Sequence, residues 1–168
     1  TSGCLSMLDA MKRGGKRFNH IVDIGTGTGL LAFAAQHLWP RAYLTASDID
    51  PVSIEVTVTN AVDNRVPLGQ SMGQLALCAA SGTDHELIQR RAPYDLIIAN
   101  ILAGPLIELA PSFAAIAREG SSLILAGLLD TQAKAVLRAF RNQGFRLHLG
   151  TDNGDWPCLW LIKRRLYG

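Results

Sequence analysis

Three short stretches carry side chains whose types and spacing point to chemistry. They are "DIGTGTG" at Asp23–Gly29, "SDIDP" at Ser47–Pro51 and "ANILAGPL" at Ala99–Leu106. In the first, an apolar run ends at Asp23–Ile24, and Gly25, Thr26, Gly27, Thr28 and Gly29 lead into the next apolar segment. Glycines there let the backbone turn sharply and let a ligand approach without a Cβ collision. In an open parallel sheet, ligands lie beyond the carboxyl ends of the strands. The spacing is GxGxG rather than the dinucleotide GxGxxG, and the lysine of a phosphate-binding P-loop is absent. Asp23, two positions before the first glycine, opposes a phosphate and suits a cationic group. S-adenosylmethionine carries an ammonium and a sulfonium and no phosphate, so it fits; a dinucleotide and a purely structural tight turn are the competing readings. Asp48 follows the loop by about twenty residues, where an acid can accept both ribose hydroxyls. Asp50 precedes Pro51 and reads as the cap of the next helix.

Asn100 closes the apolar run "YDLIIA". A carboxamide there can accept a hydrogen bond from an amine and hold it in line with a methyl carbon; orientation of that kind is worth several kcal/mol. An amine nucleophile must arrive neutral, and a carboxylate in place of Asn100 would favour the ammonium form. The alternative is that Asn100 caps a helix starting near Leu102 or Ala103, and both roles can coexist. No other residue stands out as a general base. His20, His37, His85 and His148 are scattered, and they read, with Asp84 and Glu86, as structural or solvated.

These residues need elements to position them. Helical periodicity covers Ser2–Lys12, "GLLAFAAQHL", "PVSIEVTVTNAV" with Pro51 in its first turn, a short "TDHELIQRR", "GPLIELAPSFAAIA" with Pro111 as a kink or split, and "TQAKAVLRAFRNQ" closed by Gly144. Strand patterns cover "HIVDI", "AYLTAS", "QLALCAA", "YDLIIA", "SSLILAG", "FRLHLG" and "PCLWLIKRR", with a turn at "TDNGD" and a loop over Asp63–Gly73. Alternating helices and apolar strands give a parallel sheet covered on both faces, an α/β three-layer sandwich; the last two strands, with no helix between them, pair antiparallel. Trp156 and Trp160 share one strand face at that spacing, and packing explains them better than a substrate cage.

The bulk numbers agree with one packed domain. The chain has 168 residues, 48% hydrophobic and 18% charged, with a net charge of +2. That charge does not mark a nucleic-acid-coating protein, although the pairs Lys12–Arg13, Lys16–Arg17 and Arg90–Arg91 and the run Lys163–Arg165 are locally basic. No apolar run is long enough to span a bilayer, and the first residues lack a secretory pattern. Cys4, Cys78 and Cys158 are odd in number and far apart in sequence, as for buried free thiols in a reducing cytoplasm, and no metal-ligand spacing occurs.

Taken together, "DIGTGTGLLAFAA", "SDIDP", "ANILAGPLIELAP", "LAGLLDTQAKAV" and "DWPCLWLIKR" resemble the PrmA family of ribosomal-protein methyltransferases. The resemblance covers nearly the whole chain. The glycine loop is generic to class I methyltransferases, whereas "NILAGPL" is specific. The resemblance implies the class I S-adenosylmethionine-dependent methyltransferase fold, a seven-stranded sheet in the order 3-2-1-4-5-7-6 with its last strand antiparallel. It implies cofactor contacts from Thr1, Asp23, Gly25, Thr26, Gly27, Gly29, Asp48, Ile49 and Asn100, with Asn100 beside the methyl and the incoming amine, and no metal. Thr1 matches the second threonine of a His-x-Thr-Thr segment whose earlier residues are absent here. The family's N-terminal substrate-recognition domain is also absent, so residues 1–168 are expected to be the catalytic domain. The implied activity is cytoplasmic N-methylation of lysine or α-amino groups on a large-subunit ribosomal protein, with no DNA or membrane partner. The alternatives are another protein or small-molecule amine as acceptor, or a non-catalytic module that binds RNA or the ribosome. A nicotinamide dehydrogenase is disfavoured by the glycine spacing.

Overall fold

The computed structural model describes residues 1–151 and 156–165. Its elements run α1 (Ser2–Arg13), β1 (His20–Ile24), α2 (Leu30–Leu38), β2 (Tyr43–Asp48), α3 (Pro51–Asp63), β3 (Leu75–Ala79), α4 (Glu86–Arg91), β4 (Tyr94–Asn100), α5 (Ala103–Ile116), β5 (Ala117–Ala126), a 3-10 turn (Asp130–Gln132), α6 (Ala133–Asn142), β6 (Phe145–Thr151) and β7 (Cys158–Lys163). The sheet order is β3-β2-β1-β4-β5-β7-β6. β1 pairs parallel with both β2 and β4, and β7 pairs antiparallel with both β5 and β6. This is the expected seven-stranded α/β sandwich. The chain leaves β1 toward β2 and returns on its other side at β4, which opens a crevice above the carboxyl end of β1.

Both faces of the sheet carry a packed apolar layer, except at the β6 edge, where Arg146–Gly150 are exposed. On one, Met7, Leu8 and Met11 of α1 and Leu31 and Ala35 of α2 pack on Ile21, Leu44, Leu96, Ile98 and Ile124. On the other, α4, α5 and α6 bring Ile88, Leu106, Phe113, Val136 and Phe140 onto Val22, Ile97 and Leu123. Each fully buried aliphatic or aromatic side chain contributes about 1.5–3 kcal/mol. Successive strand residues point to opposite faces, so a strand covered on both sides is apolar throughout; Leu96–Ala99 of β4 are all buried.

Local signals set the element ends. Asp50 Oδ1 accepts from Val52 N at 2.9 Å and caps α3, with Pro51 in its first turn. His85 Nδ1 accepts from Leu87 N at 3.0 Å and caps α4, which gives that histidine a structural role. Pro111 does not split α5: the helix is continuous, and Pro111 lies on its exposed side, away from Ala110 and Phe113 in the core. The expected final helix begins instead as the 3-10 turn Asp130–Gln132, where the Gln132 carboxamide accepts from Leu129 N at 2.8 Å. β5 starts earlier than its apolar run, at Ala117. The turn expected over 151–155 lies, apart from Thr151, outside the described residues.

The two tryptophans separate. Trp160 is 7% exposed and donates from Nε1 to Ser122 Oγ at 3.1 Å, whereas Trp156 is 57% exposed. The expectation that both pack on one strand face is corrected: β7 begins at Cys158, after Pro157, so Trp156 precedes the pleat that would have buried it. All three cysteines are free and buried. Among the described residues no helix is long and apolar enough to cross a membrane.

Candidate functional site

The glycine loop sits above the end of β1 and is held from several sides. Gly25 N and Thr26 N both donate to Ser47 O, at 2.8 and 2.9 Å, which ties the loop to the end of β2. Asp48 Oδ2 accepts from Gly27 N at 2.9 Å, and its Oδ1 accepts from Asp50 N at 3.0 Å. From α3, Thr57 Oγ1 donates to Gly27 O at 3.0 Å and Asn60 Nδ2 to Thr28 O at 2.9 Å. Gly29 N donates to Thr26 O at 3.0 Å, and Gly29 forms the N-cap of α2. The freedom at Gly25 (φ +78°) has a use the motif alone does not reveal: a Cβ there would lie 2.3 Å from Ile101 Cγ2. The bare backbone makes room for a side chain of the β4–α5 connection.

Asp23 lies beneath the loop, fully buried. Its Oδ2 accepts from Thr26 Oγ1 at 2.8 Å, while Oδ1 is buried with no hydrogen-bond partner among the described residues. Burial first, then the nearby charge of Asp48, push its pKa up to about 7 against the opposing Thr26 hydroxyl and the nearby Ala32 backbone amide. A buried, half-satisfied carboxyl of this kind calls for a donor or a positive group.

A cavity of about 530 Å³ opens over the strand ends, with Gly25, Asp48, Ile49 and Asn100 among its walls. Ile49 is 72% exposed and presents an apolar face to that space. Sequence reasoning did not single out the other walls: Ser81 and Gly82 after β3, and Ile101, Pro105, Glu108 and Leu109 around the start of α5. The "NILAGPL" signature contained two of these, Ile101 and Pro105; the segment after β3 gave no signal of its own. Asp23, Thr26, Gly27 and Gly29 shape the loop without lining this cavity.

Asn100 stands at the end of β4, half-buried, and also lines a second cavity of about 480 Å³ with Thr1, Gly127, Trp156 and Cys158. Its Nδ2 donates to Thr1 Oγ1 at 3.2 Å, which leaves Oδ1 free of any intramolecular donor among the described residues. Asn100 is not a helix cap: Leu102 occupies the N-cap of α5, and no side chain bonds there. The carboxamide is therefore positioned at the meeting of two cavities rather than consumed by the fold.

The larger of these two cavities carries two carboxylates, Asp48 and Glu108, and no lysine, arginine or histidine among its walls. Such walls repel phosphates and accept hydroxyls and cations. This donor set fits a ribose-bearing, phosphate-free cofactor, while Asp23 lies buried behind the loop and does not reach the cavity walls.

The family model for ribosomal protein L11 methyltransferase (PrmA) matches residues 1–164. The ribosomal protein L11 methyltransferase of Brucella suis is 41% identical over 161 residues, covering 96% of this chain and 54% of that protein. That of Mesorhizobium japonicum is 42% identical over 146 residues, covering 87% of this chain and 48% of that protein. The chain thus spans about half the length of the curated relatives it matches. A crystal structure of ribosomal protein L11 methylase from Lactobacillus delbrueckii subsp. bulgaricus superposes with a TM-score of 0.78 at 29% identity, covering 96% of this chain and 78% of that one. With the match running through the glycine loop, Asp48 and the Asn100 signature alike, the chain belongs to the ribosomal protein L11 methyltransferase family.

Proposed function

We propose that this chain is the catalytic part of an S-adenosylmethionine-dependent N-methyltransferase whose acceptor is a lysine or α-amino group of a large-subunit ribosomal protein, acting in the cytoplasm. The observation that carries the reading is the position of Asn100: its carboxamide faces the acid-walled cavity and the second cavity together, so one can hold a cofactor and the other admit an amine.

Asp48 and Ile49 would hold the nucleoside, and Asp23 and the loop Gly25–Gly29 the cationic end. When bound, S-adenosylmethionine supplies an electrophilic methyl on a sulfonium that is already a good leaving group. The residues of this chain then have mainly to orient. Thr1 Oγ1 takes one donor of the Asn100 amide, which fixes the side-chain plane and turns Oδ1 outward. Oδ1 accepts from the N–H of an amine and aims its lone pair at the cavity. A neutral carboxamide does this without stabilising the ammonium, as a carboxylate would. The amine loses its proton to solvent on entry through the second cavity, whose walls carry no carboxylate among the described residues.

Calorimetric titration of this chain with S-adenosylmethionine and with NAD tests the cofactor, and transfer of labelled methyl to purified ribosomal protein L11 by a full-length protein that carries this chain tests the acceptor. Binding of S-adenosylmethionine alone, with label on that protein, is expected. Preferential binding of NAD would overturn the cofactor assignment, and label appearing only on other amines would overturn the acceptor.

A further inference from the structure

The net charge of +2 hides a separation of sign. The parallel strands share one amino-terminal edge, and the antiparallel pairing of β7 places its end, Lys163, and the start of β6 on that same edge. Cations collect there. Lys16 and Arg17 precede β1, and Arg41 precedes β2. Arg118 opens β5, Arg146 opens β6, and Arg164 and Arg165 follow β7. Arg90 and Arg91 end α4 at the same edge. At the opposite edge lie Asp48 at the end of β2, Asp50, Asp84, Glu86 and Asp130 in the connections or helix starts beyond strand ends, and Glu108 in the second turn of α5, whereas Asp63 at the end of α3, Asp95 and Glu119 lie on the basic side. The consequence is visible in the pairing. The chain has 16 Lys and Arg and 14 Asp and Glu, yet among the described residues Arg13–Asp9, at 2.7 Å, is the one ion pair.

Cations at helix carboxyl ends are ordinary, because the helix dipole favours them. That accounts for Lys12, Arg13, Arg90 and Arg91. It does not account for Lys16, Arg17, Arg41, Arg118, Arg146, Arg164 and Arg165, which lie outside helices. Two concavities shape the edge. One, of about 460 Å³, is walled by Arg90, Arg91 and Arg118 beside His20 and Tyr43. Those two rings stack at 5.4 Å, and the Arg91 guanidinium lies 5.5 Å from the Tyr43 ring. The other, of about 470 Å³, is walled by Lys16, Arg146, Lys163, Arg164 and Arg165. Seven strands at about 4.8 Å spacing make this edge about 29 Å long. Of the nearby acids, Asp95 is engaged by Asn19 N and His20 N, at 2.8 and 3.0 Å, and Glu119 is left beside Arg118.

We infer that this basic edge, opposite the Asn100 cavities, docks single-stranded or looped RNA, its cations tracking phosphates and the Tyr43–His20 stack taking a base. A cationic groove combined with aromatic faces is the usual means of holding a single strand. This surface does not depend on the methyltransferase reading, since none of its residues lines the cavities around Asn100.

Fluorescence anisotropy with a labelled oligouridylate of about 20 nucleotides, from about 50 to 200 mM salt, reads it directly. The chain is expected to bind with a steep salt dependence. Arg118→Glu/Arg146→Glu/Arg164→Glu should weaken binding at least about tenfold and lower the log–log salt slope by about 2, at about 0.7 per lost single-strand phosphate contact. Lys134→Glu, an exposed cation in the first turn of α6, makes the same charge change as Arg146→Glu away from that edge and should cost less than about twofold where Arg146→Glu costs about threefold. All these positions are exposed, and an unchanged melting temperature with retained S-adenosylmethionine binding shows that the variants remain folded. Absence of salt-dependent RNA binding, an equal loss from Lys134→Glu and Arg146→Glu, or tighter binding to phosphatidylglycerol vesicles than to RNA would each overturn the inference.

Discussion

Asn100 and Asp23 are two side chains near the glycine loop whose chemistry folding alone does not explain. Asn100 keeps a free acceptor at the meeting of two cavities. Replacing it by aspartate keeps the shape and adds a charge, so an incoming amine is held as ammonium. Asn100→Asp should lower the single-turnover methyl-transfer rate by about 10²-fold or more and move the pH–rate profile to higher pH, with S-adenosylmethionine binding little changed. An unaltered rate would remove Asn100 from the reaction. At Asp23, the folded protein retains a proton up to about pH 7, whereas the unfolded chain releases it near 3.8. Between those values the native state binds more protons, so stability falls as pH rises from about 4 to about 7 and is level above, by a few kcal/mol at most. Asp23→Asn should flatten that slope in urea titrations. A cation bound beside Asp23 draws on its ionised form, so S-adenosylmethionine affinity should fall about tenfold per pH unit below 7; a flat calorimetric pH profile would separate Asp23 from the cofactor.

At the level of elements, the β4–α5 and β5–α6 connections must pass within contact of each other for Asn100 to point as it does. Gly127, at φ +85°, makes this possible: a Cβ there would lie 2.5 Å from Ile101 O and 2.9 Å from Ile101 N. Backbone cannot retreat as a side chain can. Gly127→Ala should therefore cost about 2–3 kcal/mol from strain and collision, lowering the melting temperature by about 4–12 °C for a domain of this size. Methyl transfer should fall more than cofactor binding, because Gly127 lines the cavity proposed to admit the amine. A melting curve matching the parent would show that the connection yields freely. The local rules were good guides to where helices and strands lie. They were poorer at element ends, where Pro111 stays inside α5 and a 3-10 turn opens α6. There the packing of Ala110, Phe113 and Val136 outweighs local preference.

For the molecule as a whole, folding has produced two edges of opposite sign, one beneath the acid-walled cavity and one beneath the basic concavities. A ligand that binds only the native state adds stability by mass action: at a hundred times its dissociation constant, about 2.7 kcal/mol. Saturating S-adenosylmethionine should thus raise the melting temperature by about 5–10 °C. No shift at a concentration where calorimetry reports saturation would mean that the ligand binds the unfolded chain as well.

The alternation of apolar strands and amphipathic helices, the glycine spacing with Asp23, and the family signature "NILAGPL" were all legible in the residues, because each is written within a single element and its flanking turn. Even the capping role of Asp50 follows from its place before Pro51. What tertiary structure alone decided is which distant segments meet. It brought Thr1 to Asn100 across 99 positions of sequence, set Ser81 and Leu109 in the same wall, left Trp156 outside the strand that buries Trp160, and gathered cations from several connections onto one edge. Such meetings depend on the order in which strands join the sheet, a property of long-range pairing that no local pattern of side chains encodes.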